Sequence, residues 1–182
     1  MKRFSKSYEI ALSAIACAFA AMALTLGTYV DVMLAAGYLL AVFALMVPLS
    51  KEFIWGGALA FIGASLLAFL FNIGGILKLA PFMIFFGLHP LVNFLQKKYI
   101  HKLPVHIAVF AVKALWFDGV LLFLWFLVGP LFGLNELSFY PELAKYIYYV
   151  VFFGGTLLFA AYDYMMFLCQ RSVNAIVRRI RR

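Results

Sequence analysis

The sequence predicts an all-α integral membrane protein, a compact bundle of six transmembrane helices with both termini cytoplasmic. Three observations carry that expectation. Of 182 residues, 67% are apolar and only 12% charged, with 21 Phe, and the mean hydropathy is +1.04. A soluble domain carries about 45–50% apolar and about 25% charged residues. Six windows hold no Asp, Glu, Lys or Arg: 10–30, 32–50, 53–77, 79–96, 119–135 and 146–162. Twelve of the fifteen Lys and Arg fall on one side of the spans these windows define. A water-soluble enzyme, a disordered chain and a free-standing nucleic-acid binder are excluded, because the solvent for most of these side chains is lipid.

Crossing a hydrocarbon core of about 30 Å takes roughly 20 mostly apolar residues. Backbone polar groups in lipid must pair within their own segment, which selects helices, and solid runs such as Val120 to Val128 lack the alternation of a barrel strand. The first helix is placed at 8–29. The second, 33–49, is closed by Pro48 and a hairpin at Lys51–Glu52. The third, 53–71, breaks at Asn72, Gly74 and Gly75. The fourth, 76–95, contains Pro81 and Pro90, which predict a kink, and ends at Gln96–Lys97–Lys98. Pro104 opens the fifth, 104–128, and Gly129–Pro130 ends it. Pro141 precedes the sixth, 143–170. One domain spans 1–182, with no repeat of 20–50 residues.

The net charge of +8 follows membrane topology rather than nucleic-acid binding. Lys2, Arg3, Lys6, Lys51, Lys97, Lys98, Lys102, Arg171, Arg178, Arg179, Arg181 and Arg182 share the cytoplasmic side, and only Lys78 and Lys145 face outward. The tail 171–182 mixes arginines with Val173, Ile176, Val177 and Ile180, and reads as a short helix against an anionic leaflet. Cys17 and Cys169 stand alone in apolar runs and read as inert thiols.

An ionisable group inside a span is costly and marks a candidate site. Lys113 lies near mid-depth of the fifth helix, Asp118 further out, and Asp163 in the cytoplasmic half of the sixth. Lys113 and Asp118 are five residues apart, about 140° around the helix, which puts polar positions on two faces. Lys113 pairs with Asp163 as a structural ion pair, or serves a substrate or coupling role. Asp118 and Trp125, seven apart on one face, suit a flat polar or cationic ligand through hydrogen bonding and stacking; the plainer reading is that Asp118 holds an internal water network. His89 and Asn93 share a face of the fourth helix, for a hydrogen bond across helices or a cavity lining. With no second imidazole at that depth, no metal site is expected. Asp31, Asn72, Lys78, Asn135, Glu136 and Glu142 lie in the outer connections, together with tyrosines of an interfacial belt.

Small residues form stripes at Ala11, Ala14 and Ala18, with Ala16 and Ala20 beside them, and at Gly56, Ala60, Ala64 and Ala68. Such faces admit close helix approach. Internal packing is one use, and a partner subunit on the first helix is the other. No phosphate-binding loop, zinc-protease motif or nucleophile elbow occurs, so no enzyme and no cofactor are expected.

With its size, six spans, Ala14-x-x-x-Ala18 in the first helix, a Gly/Ala-rich third helix and the segment Phe-Phe-Gly-Leu-His-Pro, the chain resembles a substrate-binding S-component of an energy-coupling factor (ECF) transporter. That resemblance implies a bacterial plasma-membrane protein that captures a vitamin or precursor from outside. It further implies docking through Ala14 and Ala18 on a transmembrane coupling subunit served by two ATPases. The substrate-binding candidates are then Asp118, Trp125, His89, Lys113 and Asn72. A scaffold in a cell-envelope complex and an autonomous permease or channel are the competing classes.

Overall fold

A computed structural model describes residues 5–128 and 140–179. Among the described residues six long helices follow in order: α1 (Lys6–Tyr29), α2 (Leu34–Ser50), α3 (Ile54–Phe71), α4 (Ile73–Tyr99), α5 (Leu103–Phe126) and α6 (Tyr140–Val177). No strand occurs among the described residues. All but α2 are long and apolar enough to cross a membrane, and α2, at 17 residues, is a shorter apolar helix. The exposed surface fits that setting: Trp55, Phe153 and Leu157 are 79%, 76% and 75% exposed, a cost in water and a match to hydrocarbon. The chain is a multi-pass, all-α membrane protein. The expected end of the fifth helix at Gly129–Pro130, the outer residues Asn135 and Glu136, and the basic residues Lys2, Arg3, Arg181 and Arg182 lie outside the described residues.

Contacts divide the chain into two units, Met1–Lys98 with Met166–Arg182, and Tyr99–Met165. In the first, the Ser5 hydroxyl caps α1 by accepting from the Tyr8 N–H at 3.2 Å. α1 packs on α2 and α3 through small residues. A Cβ on Gly37 would stand 2.7 Å from the Ala23 carbonyl oxygen and 3.0 Å from Gly27 Cα, so α1 and α2 cross almost backbone to backbone. On α3, Gly56, Ala60, Ala64 and Ala68 are all buried, so the expected stripe faces the interior. The α1 alanines divide. Ala16, Ala20, Ala21 and Ala23 are buried, whereas Ala11, Ala14 and Ala18 are exposed.

The α2–α3 connection is as tight as Pro48 and Lys51–Glu52 predict. The Lys51 and Glu52 N–H groups donate to the Pro48 and Leu49 carbonyls at 3.1 and 2.9 Å. Glu52 sits at φ 65°, the left-handed region that favours glycine. In α4, Pro81 is followed by a π-helical turn, Phe82–Phe86, in which the Gly87 N–H donates five residues back to Phe82 at 2.8 Å. The irregularity expected from the prolines thus takes the form of a widened turn. Tyr38 packs against Phe82 and Phe86, with ring centroids 5.8 and 5.6 Å away, and its hydroxyl donates to the Lys78 carbonyl.

The second unit comprises α5, entered through Pro104 near its N-terminus, and α6 as far as Met165. Each carries a π-helical turn, Leu124–Val128 and Val150–Gly155. Regular α-helix then runs unbroken over Thr156–Arg179, so the basic residues from Arg171 prolong the last span. Nothing in 171–179 stops a helix: the stretch has no Gly or Pro, and its cations suit a helix C-terminus. Within the first unit, the Gln170 amide donates to the Met46 carbonyl at 3.4 Å.

Candidate functional site

Helices α5 and α6 gather the intramembrane charges. The Lys113 ammonium lies 2.7 Å from Asp163 Oδ1, and both side chains are buried. The pairing weighed from depth alone is therefore formed. Aromatic rings surround it. Phe159 is fully buried, with Phe110 and Phe117 at ring-centroid distances of 5.4 and 5.6 Å, and the ammonium sits 5.9 Å from the Phe159 ring. The ring face adds a cation–π attraction to the charge pair.

Asp118 is 1% exposed. Its Oδ2 accepts from the Thr156 hydroxyl at 2.9 Å, while Oδ1 is buried without a hydrogen-bond partner among the described residues. A Cβ on Gly155 would come within 2.6 Å of that oxygen, so glycine makes the room it occupies. Thr156 and Asp163 are seven residues, about two turns, apart on α6. The two polar positions of α5, expected to face different neighbours, thus both turn to α6. Side-chain reach makes up for the angle between them, and α6 runs antiparallel beside α5.

Two π-helical turns flank this arrangement, one beginning six residues after Asp118 and one ending just before Thr156. Such turns interrupt the regular hydrogen-bond ladder and recur at functional sites. Trp125 lies in the first of them and stacks on Tyr140, with ring centroids 4.8 Å apart and planes within 5°. One indole face is thereby covered by protein.

His89 and Asn72 belong to the first unit. His89 is fully buried, 5.2 Å from the Phe85 ring by centroids and 3.5 Å from the Asn93 amide. Its contact with Asn93 lies along one helix. Asn72 ends α3, and its side-chain Nδ2 has no hydrogen-bond partner among the described residues. No group of three or more His, Cys, Asp or Glu placed to hold a metal occurs among the described residues. Thr156 and Phe159 were not singled out from the sequence, and Tyr140 was read only as one of the interfacial tyrosines. Thr156 carried one usable signal, its two-turn spacing from Asp163.

No family model, curated protein or solved structure matches this chain.

Proposed function

We propose that this protein is the membrane-embedded substrate-binding subunit of an ECF-type importer, which holds a small vitamin-like molecule and docks on a coupling subunit through α1. The observation that carries this reading is the division of the α1 alanines. Ala16 and Ala20 are consumed in packing, at 4% and 0% exposure, while Ala11, Ala14 and Ala18 remain uncovered on another face. Other uncovered α1 positions carry bulk: Ile10, Ile15, Phe19, Met22 and Leu26 are all exposed. A strip of methyl groups among large side chains gives lipid little to grip and lets a second helix approach closely. Beside it lies a groove of about 460 Å³ between α1 and α3, floored by Ser13, Ala14, Gly56 and Ala60.

Asp118 supports the ligand side of the reading. It keeps one buried acceptor oxygen unspent, next to two π-helical turns, and it suits a ligand bearing an N–H group or a positive charge. Release of a tightly held ligand requires a partner that favours a second state of the protein, since a ligand shifts an equilibrium only by differential affinity. An external partner on the alanine strip supplies that preference.

The test is affinity purification of the tagged full chain from its native membrane in mild detergent. A coupling subunit and two ATPases are expected to come with it. Ala14→Trp and Ala18→Trp should each remove them, while Ile15→Trp, a bulky residue exchanged for another bulky residue nearby, should retain them. A chain that purifies without ATPases, or with them undiminished in both alanine variants, overturns the proposal.

A further inference from the structure

Within the first unit, a cavity of about 550 Å³ opens at the basic end of the chain, where the end of α2, the last turns of α4 and the C-terminal part of α6 meet. That volume lies in the range of small-ligand sites. Its lining includes an apolar group, Leu49, Phe94 and Phe167. It also carries three cations, Lys97, Lys98 and Arg171, and a single acid, Glu52. Glu52 is already committed, 3.4 Å from Lys98. Neither Lys97 nor Arg171 is ion-paired among the described residues, so two positive charges face the cavity without an acid to match them.

Amides complete the lining. Asn93, Gln170 and Asn174 all reach the cavity, and Asn93 is buried. Gln170 donates to the Asn174 side-chain oxygen at 2.9 Å, which leaves the Asn174 NH₂ as its donating end. The cations of α4 and α6, with the Asn174 NH₂, form a donor set that suits a phosphate oxygen, and a guanidinium can take two such oxygens at once. A cation is excluded by the same charges. The apolar group adds a second requirement, for a ligand with a hydrocarbon portion beside its anionic head.

The geometry points to a binding site in this cavity for a phosphate-bearing anion, which an acidic phospholipid supplies as a headgroup and a soluble phosphate ester supplies free. Basic pockets between transmembrane helices hold acidic headgroups at the level where hydrocarbon gives way to water, and the continuation of α6 past Arg171 places its arginine there. Phe94, Phe167 and Leu49 favour the lipid, whose glycerol and first methylenes they would contact. The inference is independent of the importer reading, because it concerns the opposite chemistry on different residues.

The test uses the full chain purified in non-ionic detergent and observed by native mass spectrometry. Phosphatidylglycerol, phosphatidylcholine and glycerol 3-phosphate are titrated separately. One phosphatidylglycerol per chain is expected, held at least about ten-fold more tightly than phosphatidylcholine. Lys97 and Arg171 are exposed, so their removal leaves the fold intact. Lys97→Ala with Arg171→Ala should weaken retention about 25-fold, at about five-fold per cation near a headgroup. A comparison variant, Lys102→Ala with Arg179→Ala, removes two cations that do not line the cavity and should change retention less than about two-fold. Glycerol 3-phosphate bound at the same residues without any lipid preference assigns the site to a soluble ester. Equal retention of the two lipids with no glycerol 3-phosphate binding, or equal losses in the two double variants, overturns the site.

Discussion

Removing one member of the Lys113–Asp163 pair should harm the protein far more than removing both. The ions are 2.7 Å apart and almost wholly shielded. At an effective dielectric of about 20 their attraction is about 6 kcal/mol. Withdrawing each ion from water costs several kcal/mol, so the pair roughly breaks even against apolar side chains of the same volume. A lone survivor keeps its burial cost and loses its partner. Asp163→Asn or Lys113→Met should therefore destabilise by about 3–5 kcal/mol, and the double variant Lys113→Met with Asp163→Leu should return to within about 1 kcal/mol of the parent. The measurement is denaturation in mixed micelles, titrating an unfolding detergent into the three variants and the parent under one condition. Single variants within about 1 kcal/mol of the parent would refute the reasoning. So would a double variant as damaged as the sum of the singles, since that outcome means the two side chains do not answer each other. A double variant that is stable yet loses a small molecule retained by the parent would instead assign the pair a task beyond holding α5 to α6.

Two further perturbations test the packing and the half-satisfied carboxylate. Gly37→Ala sets a methyl against backbone on α1, 2.7 Å from the Ala23 carbonyl oxygen, and should cost about 1–3 kcal/mol as overpacking; Gly74→Ala, with nothing within 4 Å, should leave the thermal midpoint in place, and equal effects at the two positions would contradict the close crossing. Thr156→Val removes the hydroxyl that Asp118 Oδ2 accepts from and should destabilise by about 1–3 kcal/mol, whereas Thr156→Ser, which keeps the donor, should lose less than about 1 kcal/mol; matching losses in thermal unfolding would show that the methyl rather than the hydrogen bond matters.

The helices were legible because lipid imposes a coarse rule, and their ends were less so because side chains bend it. The fourth span was placed to end at 95, yet α4 continues through Lys97 and Lys98 to Tyr99, as long cationic side chains let a helix run on into the interface. Intramembrane charges announce themselves, so Lys113, Asp118 and Asp163 were found at once. Thr156 did not stand out, since a threonine in an apolar run looks like any small residue until a carboxylate is seen beside it. The π-helical turns at Leu124–Val128 and Val150–Gly155 carry no local signature, because they arise where packing, not propensity, decides the ladder. On α3 every fourth residue from Gly56 to Ala68 is small, so the sequence marks a single close-packing face, and the fold buries it. On α1 alanines crowd both sides of the helix, and only the fold separates Ala16 and Ala20, which face inward, from Ala14 and Ala18, which do not.

The polar contacts between α5 and α6 do something that their apolar neighbours cannot. Leu against Leu differs little in energy from Leu against a lipid tail, so two apolar helices in a bilayer gain little from one register over another. Lys113 with Asp163 and Asp118 with Thr156 fix two points along the antiparallel pair. Their spacings, five residues on α5 and seven on α6, can be satisfied together at one alignment only. A slide of one residue, about 1.5 Å of rise and about 100° of rotation, would break both contacts at once. A third, the Trp125–Tyr140 stack, lies further along the same two helices. The charge pair is closed and shielded by Phe110, Phe117 and Phe159, and it therefore serves register best. The Asp118 contact is open at Oδ1, and it therefore retains capacity for a ligand. A second hydrogen-bond donor to that oxygen would have made the clamp stronger and left no acceptor unspent, so the open oxygen, rather than the ion pair, is the feature that the proposed binding role turns on.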